Sequence, residues 1–211
     1  MSMTRISGWL AAAVLSVAAV GAHAQAKAPD ALIKEVSTDV LDAVKADKTI
    51  RAGDIRKVTA LVDEKVMPYV NFQRMTSQAV GRYWRQATPE QQKRLQDEFK
   101  LLLVRTYSGA LSQVSAEQTV ELKPTRSQPT DSEVVVRTEI RGKGDPIQLD
   151  YRLEKVGDGW KIYDVNVLGV WLVAQYQSSF SQEISTKGVD GLIDALAAKN
   201  KSAAAPKSDK S

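Results

Sequence analysis

From Asp30 to about Ala46, apolar residues recur at Leu32/Ile33, Val36, Val40/Leu41 and Val44, the three-to-four spacing of an amphipathic helix. A second helix is predicted after Gly53, with Asp54 as N-cap, running through Ile55, Val58, Leu61/Val62 and Val66 and stopping at Pro68. A short third element covers Phe72 to Tyr83/Trp84. Thr88-Pro89-Glu90-Gln91 reads as a helix start: Thr88 caps, Pro89 suits the first turn, and Gln91 stands at the capping-box position. In the helix that follows, Leu95, Phe99, Leu102/Leu103, Thr106/Tyr107, Ala110/Leu111 and Val114 share one broad face, wide enough to cover a sheet or line a cavity.

Beyond Ser115 the period changes to two. Val134, Val136, Thr138 and Ile140 alternate with Glu133, Val135, Arg137, Glu139 and Arg141, and Gly142-Lys143-Gly144-Asp145 turns the chain. Ile147, Leu149, Tyr151 and Leu153 then alternate with Gln148, Asp150, Arg152 and Glu154, Gly157-Asp158-Gly159 turns again, and Trp160 to Leu168 forms another strand. With Thr119 to Leu122 as a weaker first strand, the pattern predicts an antiparallel meander of about four strands, apolar on one face and charged on the other. A sheet with one apolar face must be covered, and helices are the available cover, so the class is α+β with helices packed on one side. Helical spacing resumes at Val173, Tyr176, Phe180 and Ile184, breaks at Gly188, and returns at Val189, Leu192/Ile193 and Leu196. Lys199 to Ser211 lacks large apolar residues and reads as a disordered tail.

The first residues carry a different signal. Arg5, the apolar stretch Trp9 to Val20, and Ala22-His23-Ala24 follow the order of an export leader with its cleavage site, so residues 1–24 read as a signal peptide and 25–198 as one domain. No later stretch is long and apolar enough for a spanning helix, and the mature chain is expected to be soluble. The chain has no cysteine and its single histidine, His23, lies in the leader. That composition excludes Cys and Ser–His nucleophilic catalysis, haem attachment, His/Cys zinc sites and disulfides in the mature chain. No metal, cofactor or catalytic residue is assigned, and the charge surplus, +4 for the whole chain, reads as a mixed solvated surface, with no nucleic-acid partner inferred.

Asp150 and Asp164 lie in neighbouring strands and are the one carboxylate pair that invites an acid–base reading; exposed or locally hydrogen-bonded carboxylates are the plainer one. Alternation puts Asp150 on the polar face, and Tyr163, Val165 and Val167 on the inward one. The paired glycines at Gly142/Gly144 and Gly157/Gly159 make hairpin turns, since neither set opens a helix after a strand. Phe72, Tyr83, Trp84, Phe99, Tyr107, Tyr151, Trp160, Trp171, Tyr176 and Phe180 mostly fall on apolar faces. Such a set suits a filled core or the wall of a cavity, and pattern alone leaves both open.

Ordered motifs add a resemblance. Phe72-Gln73-Arg74-Met75, Gly81-Arg82-Tyr83-Trp84-Arg85-Gln86-Ala87-Thr88-Pro89-Glu90-Gln91, Leu102-Leu103-Val104-Arg105-Thr106-Tyr107, Asp150-Tyr151-Arg152, Gly159-Trp160-Lys161-Ile162-Tyr163-Asp164-Val165, Gly169-Val170-Trp171-Leu172-Val173, Phe180 and Gly188-Val189-Asp190-Gly191-Leu192-Ile193 together resemble MlaC, the toluene-tolerance family of periplasmic phospholipid-binding proteins. The resemblance implies a monomeric, non-enzymatic periplasmic carrier whose ligand is the acyl chains of a phospholipid, held between sheet and helices with the headgroup in solvent. It further implies two partners, an inner-membrane ABC transporter complex with an MCE component and an outer-membrane lipoprotein–porin complex, and a role in outer-membrane lipid asymmetry. On that reading, alternation and helical spacing turn Val136, Ile140, Leu149 and Tyr151 of the sheet, and Leu103, Tyr107, Val173 and Tyr176 of the helices, toward the lipid. Two departures stand out: the family usually has Glu-Gly-Val-Ser-Leu-Val at Leu168-Gly169-Val170-Trp171-Leu172-Val173, and Asp at Asn71. A Trp in place of a small residue is expected to narrow the cavity or to alter the lipids accepted. Two other readings stay open: a small enzyme with a carboxylate base in an apolar pocket, and a periplasmic adaptor with a filled core.

Overall fold

The computed structural model of the protein describes residues 27–125, 128 and 130–202; the expected leader and the chain beyond Ser202 lie outside the described residues. Six helices and five strands follow in the order α1 Pro29–Ala46, α2 Lys48–Arg51, α3 Ile55–Lys65, α4 Phe72–Val80, α5 Pro89–Ser108, β1 Thr119–Leu122, β2 Glu133–Arg141, β3 Ile147–Val156, β4 Gly159–Val167, β5 Val170–Trp171 and α6 Leu172–Ser202. The helix starts are set by side chains. Asp54 accepts from the backbone N–H groups of Arg56 and Lys57 at the head of α3. At α5 the Thr88 hydroxyl accepts from Gln91 N at 3.2 Å while Gln91 Oε1 accepts from Thr88 N at 2.9 Å, a complete capping box. Gly188, at φ 73°, ψ −178°, interrupts α6 where the spacing predicts a break.

The sheet is an antiparallel meander of order β1-β2-β3-β4-β5. It has five strands where the pattern predicts about four, because Leu168 (φ 51°) and Gly169 (φ 90°) fold the chain back and pair Val170 with Val167 and Trp171 with Asn166. Registry puts Val134, Val136, Thr138, Leu149, Tyr151, Leu153, Ile162, Val165 and Val167 on the helix-facing side. Between Arg152 and Leu153 the β3–β4 register shifts, so Asp164 opposes Arg152 while Ile162 opposes Leu153. The extra residue, Tyr163, flips the phase of the strand. This corrects the alternation-based assignment: Ile162 joins the inward set, and Tyr163 leaves it for the polar side, where its hydroxyl donates to Glu133 at 3.0 Å.

Three apolar clusters hold the layers together. Leu32, Ile33 and Val36 of α1 pack on Val134, Val136, Leu153 and Ile162 of the sheet. Phe72, Met75, Leu95, Phe99, Tyr176, Phe180 and neighbours from α4, α5 and α6 form the largest cluster, which Val165 and Val167 of β4 join from the sheet. Within it Phe99 meets Tyr176 and Phe180 edge-on at centroid separations of 5.0 and 5.2 Å, a filled aromatic core. Val44, Ile50, Val58, Leu61 and Val104 tie α1, α2, α3 and α5 together. The last helix runs to Ser202, beyond the Ala198 boundary expected from composition, because Asn200 is buried and its amide donates to the Glu98 carbonyl at 3.0 Å and the Glu98 carboxylate at 2.7 Å.

Candidate functional site

The valine periodicity of α3 produces the feature of most functional interest. Val58 and Val62 stand one turn apart on one face, Val66 continues the row just past the helix end, and the facing side of α5 offers Leu103, Val104 and Tyr107. Met67, Val70, Phe72 and Met75 close one side, and Val165 and Leu172 reach in from β4 and the start of α6. These side chains line a cavity of about 260 Å³, open to the surface and with an almost wholly apolar wall. Lys100 is the charged residue of the lining; its ammonium leaves the wall and meets Asp63 of α3 at 2.7 Å. Burial pushes the Tyr107 hydroxyl up from its ordinary titration range, so the phenol is neutral at physiological pH.

Of the residues expected to line a lipid site, Leu103 and Tyr107 do line this cavity. Val136 and Tyr151 do not: α1 covers that part of the sheet, Val136 is fully buried beneath it, and the Tyr151 hydroxyl lies 3.3 Å from Ser37 Oγ. Val173 and Tyr176 are buried in the filled cluster with Phe99 and Phe180. Ile140 and Leu149 are half-buried on the helix-facing side, outside the cavity wall. The open space thus lies beside β4, between α3 and α5, rather than over the centre of the sheet. Val58, Val62, Val66, Met67, Val70, Met75 and Leu111 also line the wall and are not among the residues that the pattern points to. For the valines the signal in the sequence is the every-fourth-residue row Val58, Val62 and Val66 on and just past α3, which looks the same whether it packs or leaves space.

The carboxylates that invite an enzymatic reading do not reach the cavity. Asp164 is fully buried on the opposite side of the sheet; one oxygen accepts from Val165 N at 2.9 Å and Val173 N at 3.1 Å, the other from Arg152 at 3.0 Å. Burial raises its pKa despite those partners, and its geometry fixes the start of α6 against β4. Asp150 is also buried, with one oxygen accepting from the Gln148 amide at 3.0 Å. Among the described residues no cluster of three or more Asp, Glu, His or Cys has the arrangement to hold a metal ion.

Both departures from the family pattern have local explanations. Trp171 pairs with Asn166 on the polar side of the sheet, and the Arg152 guanidinium covers its ring at 3.9 Å, so this Trp does not narrow the cavity. Asn71 caps α4 by accepting from Arg74 N at 3.0 Å, and its amide donates to Glu154 at 2.7 Å, which a carboxylate at that position cannot do.

The same fold is found in a protein of known structure. The phospholipid-binding protein from Ralstonia solanacearum, solved in complex with a phospholipid, is 46% identical, superposes with a TM-score of 0.80, and is matched over 83% of this chain and 98% of its own. The toluene tolerance protein ttg2D of Pseudomonas putida is 26% identical over 166 residues, 78% of this chain and 77% of that protein. The intermembrane phospholipid transport system binding protein MlaC of Haemophilus influenzae is 22% identical over 169 residues, 78% of each chain. The description of the MlaC protein family matches residues 34–198, nearly everything from α1 to the last turns of α6, and on that match the chain belongs to the MlaC family.

Proposed function

We propose that the protein is a periplasmic phospholipid carrier that takes acyl chains into the cavity between α3 and α5. The observation that carries this reading is that cavity, almost wholly apolar and set in a fold whose Ralstonia solanacearum relative, at 46% identity, holds a phospholipid. Pockets for drug-sized ligands span roughly 300–1,000 Å³. A diacyl lipid is larger than such ligands, so loading must widen a space of about 260 Å³ by moving α3 and α5 apart or by moving β4 away from them.

Two acyl tails present on the order of 30 methylenes at ~0.8 kcal/mol each for leaving water, so a carrier crossing an aqueous space needs a sealed apolar interior. Against a bilayer most of that term cancels, because the tails exchange one apolar phase for another. The exchange is then close to balanced, and direction is set by the docking partners. In this reading these are an inner-membrane ABC transporter complex with an MCE component and an outer-membrane lipoprotein–porin complex, and the traffic maintains outer-membrane lipid asymmetry. The leader-like residues 1–24 support export. No helix among the described residues is long and apolar enough to cross a membrane. In this reading the carrier performs no turnover, and the buried carboxylates Asp150 and Asp164 lie outside the cavity wall.

Native mass spectrometry of the purified protein, before and after organic extraction, tests the proposal. The expected result is a mass increment matching intact phospholipid that extraction removes and vesicle incubation restores. Apoprotein alone, with no uptake from vesicles, or the recovery of lyso-lipid and free fatty acid, overturns it.

A further inference from the structure

We infer that Lys100 recognises the phosphodiester of the bound lipid, exchanging its Asp63 partner for the headgroup when the cavity fills; this rests on the carrier reading above. The cavity wall consists of aliphatic, aromatic and thioether groups with Ser108 and one cation, Lys100. A lysine in such a wall divides itself: its methylene stem covers apolar surface while its ammonium seeks solvent or an anion. Here the ammonium meets Asp63 at 2.7 Å, joining α5 to α3, the two helices that flank the cavity. The Lys100 side chain is 25% exposed and the Asp63 side chain 47%, so the pair sits where the apolar interior meets water.

That position is where the chemistry of a phospholipid changes from hydrocarbon to phosphate. Tails drawn between α3 and α5 leave the phosphodiester at the boundary, within the sweep of a four-carbon stem that carries three donors on a compact charge. Losing Asp63 is a small obstacle, because half-exposed ion pairs of this kind contribute little. Gaining a phosphate is worth more, since charge-assisted hydrogen bonds to a phosphate at the edge of an apolar wall are among the stronger ones. The same exchange unties α3 from α5, so recognition of the headgroup and widening of the cavity become one event. Lys100 is thus assigned as a residue that favours phosphate-bearing lipids over neutral lipids with the same tails.

The test is equilibrium loading of the delipidated exported chain, read by native mass spectrometry, with phosphatidylglycerol, with diacylglycerol of the same acyl chains, and with inorganic phosphate as competitor. Lys100→Gln is expected to weaken phosphatidylglycerol loading on the order of tenfold relative to diacylglycerol loading measured in the same variant. Lys100→Arg should keep phosphatidylglycerol loading, and Asp63→Asn, which frees the ammonium and also unties α3 from α5, should raise phosphatidylglycerol loading more than diacylglycerol loading. Equal loss of both lipids in Lys100→Gln, or no loss of either, overturns the assignment and reduces Lys100 to a structural stem. Displacement of phosphatidylglycerol by millimolar inorganic phosphate overturns it in favour of a free-phosphate site. Wild-type protein that loads neither lipid overturns the carrier reading itself, a result distinct from loss of the preference between the two lipids.

Discussion

Filling the cavity should separate lipid loading from folding, and Val62→Phe is the substitution that does so. Val62 lies on the cavity-facing side of α3, opposite Leu103 and Tyr107, where space of about 260 Å³ accepts a phenyl ring without displacing a neighbour. Overpacking a dense core costs about 1–3 kcal/mol, but here the added carbons find room, so the lipid-free thermal midpoint should move by less than ~3 °C. The ring brings roughly four extra carbons and excludes about as many methylenes of the tails, each worth ~0.8 kcal/mol when left in water, or ~3 kcal/mol in all. Retention in an aqueous medium should then fall on the order of a hundredfold. The control is Val136→Phe, at a position fully buried under α1 with no cavity beside it. It should lower the midpoint by several degrees and, in the folded fraction, leave lipid loading intact. Scanning calorimetry with quantified lipid extracts reads both effects. A folded Val62→Phe protein with an undiminished lipid load would refute the placement of the tails between α3 and α5.

Three further outcomes follow from the polar framework. Asn71→Asp keeps the α4 cap but sets a carboxylate against Glu154, so the thermal midpoint should fall at neutral pH and recover in the Asn71→Asp/Glu154→Gln double variant, with a coupling of ~0.5–3 kcal/mol in a double-mutant cycle. Asp164→Ala removes the acceptor of the buried Val173 N–H and should cost ~1–3 kcal/mol by denaturant unfolding, whereas Asp164→Asn, which keeps an acceptor oxygen, should cost less. The Arg74 hydrogen bond, seconded by the Tyr163 hydroxyl, holds Glu133 below the usual carboxylate range, and the Thr49 hydroxyl and Lys57 do the same for Asp47. Groups with depressed folded pKa values stabilise fully above their unfolded pKa of about 4 and lose that contribution as pH falls through the folded value, so the thermal midpoint should drop below pH 4, and less steeply in Glu133→Gln.

Much of the architecture is local and was therefore legible. Asp54 and the Thr88/Gln91 box announce their helices because capping depends on residues three positions apart. The strands β1 to β4 follow from alternation, and the α6 break from Gly188. The phase of β4 ahead of Asp164 was not legible, since the bulge at Tyr163 depends on how β3 lies beside it, and its consequence, an inward Ile162 and an outward Tyr163, contradicts simple alternation carried back from Val165 and Val167. The short β5 is likewise hidden: it needs Leu168 in the left-handed region, which its type does not advertise. The cavity wall was legible only in small part for the same reason. Leu103 and Tyr107 stand out in the sequence because they lie on the broad face of α5, but which surface that face meets is a matter of docking between distant segments. Val136 and Tyr176 look as suited to a cavity as Val62 does; α1 and Phe99 fill the space around them, and nothing fills the space beside Val62.

The central claim, that acyl chains occupy the space between α3 and α5, is tested most directly by loading the protein with a phospholipid carrying a diazirine near the end of one tail, irradiating it, and mapping the adducts by peptide mass spectrometry. The account predicts adducts on the cavity wall, at Val58, Val62, Leu103, Tyr107 or Val165. Adducts confined to the polar side of the sheet around Tyr163 and Trp171, or to Val136 and its neighbours beneath α1, would contradict it.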